Sequence, residues 1–119
     1  MPRTKLVPAT TNNITKGIIT FLNQRGYVAF RANNTGIFDP INNTFRKRAK
    51  NELGIPDVLA CSPGGFFVGL EIKNAHTNDK IRPDQKIFHD RIRGAGGKIE
   101  IVKSYDDFLK WYDLYGRWL

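Results

Sequence analysis

At 119 residues the chain is long enough to bury one core without a covalent staple, and a lone Cys61 excludes an internal disulfide. Hydrophobic residues at 40% and charged residues at 25% are ordinary for a globular protein, and no stretch approaches the roughly 18 apolar residues of a membrane span. Nineteen Lys and Arg against eleven Asp and Glu leave a net charge of +8, which favours a polyanionic partner, nucleic acid before any membrane surface. One cysteine and two separated histidines, His76 and His89, cannot make a Cys/His structural zinc site. The polar N-terminus lacks the apolar core of a secretory signal, and with the unpaired cysteine this points to the cytoplasm.

The length predicts a single domain over residues 1–119, with residues 1–11 as a loose leader. Ile14, Ile18, Phe21 and Leu22 share one helical face, which Asn12 or Asn13 can cap and Gly26 can end. Tyr27 to Arg31 reads as a short strand halted by the turn signal Asn33-Asn34-Thr35-Gly36. Residues 37–54 read as a mobile basic loop, with turn signals at Asp39-Pro40 and Asn42-Asn43. Its run of Arg46, Lys47, Arg48 and Lys50 suits either a solvated surface or a nucleic-acid contact.

Two apolar strands follow, Pro56 to Cys61 and Phe66 to Lys73, joined by Ser62-Pro63-Gly64-Gly65 as an antiparallel hairpin. The segment from His76 to Arg82 is polar, and its Lys80 and Arg82 are candidates for phosphate contact. A helix should open near Pro83 and run to about Arg93, with Ile87, Phe88 and Ile92 on one face. Gly94-Ala95-Gly96-Gly97 follows a helix and lacks a Gly-Lys-Ser/Thr ending, so it is a turn and not a phosphate cradle. Lys98 to Val102 alternates as a strand, and Ser104 caps a last helix carrying Phe108, Leu109, Trp111, Tyr112 and Tyr115. The C-terminal aromatics, Trp118 included, suit a core or a dimer surface better than base stacking. These elements describe an α/β fold, a mixed sheet with helices on its faces.

Asp57, Glu71 and Lys73 stand out within the hairpin. Side chains alternate along a strand, so Glu71 and Lys73 point to one face while Ile72 points to the other. The short turn lets Asp57 lie beside them. Two carboxylates meeting at one spot repel unless a cation sits between them. Mg²⁺ suits such a place because it takes oxygen ligands and keeps several waters, and the Ile72 backbone carbonyl could add one more oxygen. Lys73 would then orient an attacking water or stabilise charge on a phosphate.

Gly54-Ile55-Pro56-Asp57, then Glu71-Ile72-Lys73, then Arg82-Pro83-Asp84-Gln85 opening a helix, resembles the PD-(D/E)xK nuclease superfamily, and within it the VRR-NUC group. Gln24-Arg25-Gly26-Tyr27 and the stretch from Phe30 to Gly36 extend the likeness upstream, so that it covers roughly residues 12–110. The resemblance implies an α-β-β-β-α-β restriction-endonuclease-like core, Mg²⁺ or Mn²⁺ held by Asp57 and Glu71, and Lys73 as the catalytic lysine. It also implies that Gln85 helps orient the water or phosphate. The group often carries a glutamate in its first helix where this chain has Asn13; Asn13 can still offer a neutral oxygen, though the lost carboxylate would weaken a second metal site, and Glu52 could instead lean in from the loop.

Stand-alone members of the group, mostly viral, resemble Holliday-junction resolvases and act as dimers. The expected function is therefore a homodimeric endodeoxyribonuclease selective for branched DNA, with a role in DNA repair, working in a host cytoplasm if the source is viral. The alternatives are a nickase or a flap or duplex nuclease of the same fold, or a nucleic-acid-binding protein weakened in catalysis, of which Asn13 would be a sign.

Overall fold

The computed structural model describes residues 9–32, 37–46, 53–77 and 79–119. The chain starts with α1 (Thr11–Asn23), which buries Ile14, Ile18 and Leu22. Its cap is Thr10, not Asn12 or Asn13: the Thr10 hydroxyl accepts from the Asn13 N–H at 3.1 Å, so the helix begins before the two asparagines. Gly26 turns the chain at φ +87°, a conformation that suits a residue without Cβ. The Asn23 side chain then clamps β1 (Val28–Arg31) to the helix end, accepting from the Ala29 N–H and donating to the Ala29 carbonyl.

Part of the expected basic loop is ordered backbone. β2 (Ile37–Asp39) and β3 (Thr44–Arg46) pair antiparallel as a separate two-stranded hairpin, with Phe38 opposite Phe45. The turn signals seen in the sequence close this hairpin and do not mark an open loop. Asp39 accepts from the N–H groups of Ile41 and Asn42, and Asn43 takes a left-handed φ of 51°. Lys47, Arg48, Lys50, Glu52, the Asn33 to Gly36 segment and residues 1–8 lie outside the described residues, as does the side chain of Arg46.

β4 (Val58–Cys61) and β5 (Phe67–Ile72) form the expected hairpin, its turn closed by Ser62, whose N–H and hydroxyl both bond Phe66. α2 (Pro83–Gly94), β6 (Lys98–Val102), α3 (Tyr105–Leu114) and a short 3-10 turn (Gly116–Trp118) complete the chain. Ser104 caps α3 through the Asp107 N–H, as its sequence position predicts. The main sheet runs β1-β4-β5-β6, antiparallel except for the parallel β5–β6 pair. Leaving aside the β2–β3 hairpin, the order is α-β-β-β-α-β followed by α3, the mixed sheet flanked by helices that the sequence implies. No helix among the described residues is long and apolar enough to cross a membrane.

Alternation along the strands divides the sheet into two unlike faces. Val58, Ala60, Val68, Leu70, Ile72 and Val102 pack with Ile14, Ile18 and Leu22 of α1 and with Phe108 and Trp111 of α3 in one core. Phe21 meets Phe108 and Tyr112 edge-on, the arrangement that ring quadrupoles favour. Trp111 thus joins the core and Tyr112 packs against it, whereas Tyr115 and Trp118 are 62% and 76% exposed. α2 lies toward the other face, where β5 presents Gly69 and Glu71. Burying a carboxylate under that helix is the unusual feature of the fold.

Candidate active site

The β4–β5 register pairs Val58 with Leu70. Continued by one residue, it sets Asp57 opposite Glu71, and residues opposite one another share a face. Asp57 precedes β4, and its carboxylate accepts the Ile72 N–H at 2.8 Å, fastening the open end of the hairpin. Glu71 is only 1% exposed. Its Oε1 accepts from Gln85 Nε2 at 2.8 Å, and its Oε2 lies 3.4 Å from His89 Nε2. Lys73, 6% exposed, places its ammonium 3.7 Å from Glu71 Oε1 and 3.5 Å from the Asp79 carboxylate.

Burial and the neighbouring Asp57 push the Glu71 carboxyl from an ordinary 4.5 up to about 8, and the charges of Lys73 and Arg82 only partly oppose this. A buried acid held this far from its normal titration range, beside a second carboxylate, marks a place where a cation would relieve the repulsion. The donor set is two carboxylates, Asp57 and Glu71, at the end of a hairpin. Among the described residues no group of three or more His, Cys, Asp or Glu side chains is arranged to hold a metal. Two carboxylates are oxygen donors of the kind that a hard divalent cation takes.

Gln85 does two things at once. Its Oε1 accepts from the Arg82 N–H at 2.9 Å, satisfying an open donor at the start of α2, while its amide nitrogen holds Glu71. The loop between β5 and α2 is fixed by Asn74, which is buried, donates to the Ala9 carbonyl, and accepts from the His76 N–H. This ties the start of α1 to the end of β5. Asn13 stands in the first turn of α1 and is exposed, with no side-chain hydrogen bond to Asp57, Glu71 or Lys73. Lys80 and Arg82 are exposed along the loop that leads into α2, and Arg82 is near enough to act on Glu71 through its charge.

Two residues at this site were not singled out from the sequence. Asp79 pairs with Lys73, and His89 is 2% exposed against Glu71, where the sequence shows only a histidine without ligand partners at zinc spacing. A signal was available for the second. His89 follows Gln85 by four residues, so both lie on one face of α2.

Gly54 sets the distance between the hairpin and α2. It has φ +82°, and a Cβ there would lie 2.3 Å from the Asp84 carbonyl oxygen and 2.8 Å from the Gln85 Cα. Backbone cannot yield as a flexible side chain can. Gly54→Ala is therefore expected to lower stability by about 2 kcal/mol or more and to shift Gln85 away from Glu71. Denaturant unfolding checks the first effect; an unchanged midpoint would contradict it.

No protein-family model matches the chain, and no curated protein matches it. A solved structure described as a "VRR_NUC domain" superposes on it with a TM-score of 0.65, over 87% of this chain and 95% of that one, at 21% sequence identity. The chain therefore has the fold of a VRR_NUC domain, which is the fold its sequence resemblance implies.

Proposed function

We propose that the chain is a metal-dependent endodeoxyribonuclease whose active centre is Asp57, Glu71 and Lys73, with Gln85 in support. The observation that carries this reading is Glu71, a buried carboxyl raised to about 8 beside Asp57 with an ammonium 3.7 Å away. Such an arrangement serves little structural purpose, because burying a carboxyl beside a second carboxylate costs more than burying an apolar residue would. The likeness of fold to a VRR_NUC domain and the net charge of +8 support the same reading.

Asp57, Glu71 and the Ile72 carbonyl are the groups that would hold Mg²⁺ or Mn²⁺. A bound divalent ion would lower the pKa of a water and offset charge on a phosphodiester. Lys73 carries a fixed positive charge toward the same place, where it can orient the nucleophile or stabilise charge developing on phosphate oxygens. Its contact with the half-exposed Asp79 can be exchanged for a phosphate, an anion of like charge, without rearranging the strand. Gln85 keeps Glu71 from turning away. Arg82 and Lys80, exposed on the loop into α2, can contact a DNA backbone, and the run of Arg46, Lys47, Arg48 and Lys50 is a further basic candidate from the sequence alone.

The resemblance of the sequence to small VRR-NUC proteins favours branched DNA, and a two-fold dimer would supply paired cuts across a junction. Incubation of the purified protein with a labelled four-way junction, a flap and a linear duplex, in Mg²⁺ or Mn²⁺, tests both parts. Symmetric incision of the junction in preference to the duplex is the expected result. Equal cutting of all three would remove the branched-DNA assignment, and preferred cutting of the flap or nicking of the duplex would replace it. Binding without cutting under any metal would leave only a nucleic-acid-binding protein.

A further inference from the structure

Glu71 is gripped from α2 on both of its oxygens. Gln85 Nε2 donates to Oε1 at 2.8 Å, and His89 Nε2 faces Oε2 at 3.4 Å, one helical turn further on. Both are nearly inaccessible to solvent. A carboxylate offers about four lone-pair directions, so two contacts from one helix leave the remainder for the side facing Asp57. We propose that His89 is a positioning residue for the metal site: by donating Nε2–H to Glu71 Oε2, it fixes the rotation of the carboxylate that Gln85 alone would leave free. This inference rests on the reading of Asp57 and Glu71 as metal ligands.

Packing alone does not account for a histidine here. A leucine or phenylalanine would fill the space beneath α2 without a polar edge, and a buried imidazole costs free energy unless hydrogen-bonded. Lys73 and Arg93 both act on the ring electrostatically, while Asp90 opposes them; Glu71 is the acceptor its Nε2 faces at short range. Outer groups of this kind orient metal ligands, and their loss typically weakens metal affinity by about 10–100-fold.

Three substitutions test the role, each read by calorimetric Mn²⁺ titration of the DNA-free protein, by thermal melting, and by kcat and KM for DNA cleavage. His89→Gln can carry an N–H donor to about the place of Nε2, whereas His89→Asn carries its amide only as far as Nδ1 and His89→Leu carries none. His89→Leu and His89→Asn are expected to weaken Mn²⁺ binding by about 10–100-fold and to lower kcat with KM for DNA unchanged, while His89→Gln retains most of the wild-type affinity and rate. If His89→Leu melts early, the Gln and Asn pair still decides. Wild-type affinity in all three variants, or a loss in His89→Gln equal to that in His89→Asn, would overturn the role of His89 while leaving the metal site standing. Wild-type protein that takes up no Mn²⁺ would overturn the metal site itself, and this inference with it.

Discussion

Lys73→Met protein is expected to fold, to bind Mn²⁺ and DNA, and to cleave DNA about 10²–10³-fold more slowly than the wild type, the loss typical when one stabilising donor is removed from a reaction centre. Methionine keeps the length and the apolar stem, so the packing around position 73 is preserved. What disappears is the ammonium 3.7 Å from Glu71 and 3.5 Å from Asp79. Because Lys73 pulls the Glu71 pKa down, its loss should also raise that pKa further and move the onset of Mn²⁺ binding to higher pH. Single-turnover cleavage under saturating metal separates the two effects. A rate within a small factor of wild type would remove Lys73 from the chemistry.

Glu71→Gln should have opposite consequences for stability and for function. The folded Glu71 carboxyl titrates near 8 and an unfolded one near 4.5, so the folded state holds a proton that the unfolded state releases. The contribution of this group to stability is therefore fully present below about 4.5 and is lost progressively as pH rises through about 8. At alkaline pH without metal, wild-type protein bears a penalty on the order of several kcal/mol. Glutamine at 71 keeps the volume and an acceptor for Gln85 but has no charge to bury, so the metal-free variant should be more stable than wild type, by a margin that grows from pH 4.5 to 8 and then levels. Mn²⁺ should stabilise the wild type and leave the variant unchanged, because only the charged ligand rewards binding. Denaturant midpoints across pH, with chelator and with Mn²⁺, measure all of this. A variant less stable than wild type at pH 8 without metal would contradict the burial argument.

The main sheet was legible because its strands announce themselves by alternation and by Ser62-Pro63-Gly64-Gly65, a turn that leaves one pairing for β4 and β5. That pairing is also what put Asp57 opposite Glu71. α1 and α3 are legible through apolar spacing and Ser104, and α2 through Pro83; the apolar residues of α2 do not mark its buried side, since Ile87 is 63% exposed and Gln85 and His89 are the residues it buries. β2 and β3 were not, because three-residue strands joined by Asp39-Pro40 and Asn42-Asn43 carry the same turn residues as an open loop. The cap of α1 is ambiguous in the sequence because Thr10, Thr11, Asn12 and Asn13 are all capable of the role, and only backbone geometry selects Thr10.

Within the site, local spacing placed Asp57, Glu71 and Lys73, whereas Gln85 was reached only through resemblance. His89 and Asp79 depend on how α2 and the loop before it come down on β5, a tertiary fact that no local pattern encodes. The i, i+4 relation of Gln85 and His89 shows how far such a fact can be anticipated: once one residue of a helix face is assigned, its neighbour one turn away becomes a candidate.

The Asp57–Glu71–Lys73 centre stands or falls on strand cleavage of end-labelled four-way-junction DNA, compared for wild-type protein in Mn²⁺, for the same protein in excess chelator, and for Asp57→Ala in Mn²⁺. Cut strands are expected in the first reaction and neither of the others, with Asp57→Ala still retarding the DNA. Cleavage that persists in chelator, or in Asp57→Ala at the wild-type rate, would contradict a metal-dependent nuclease centred on these residues.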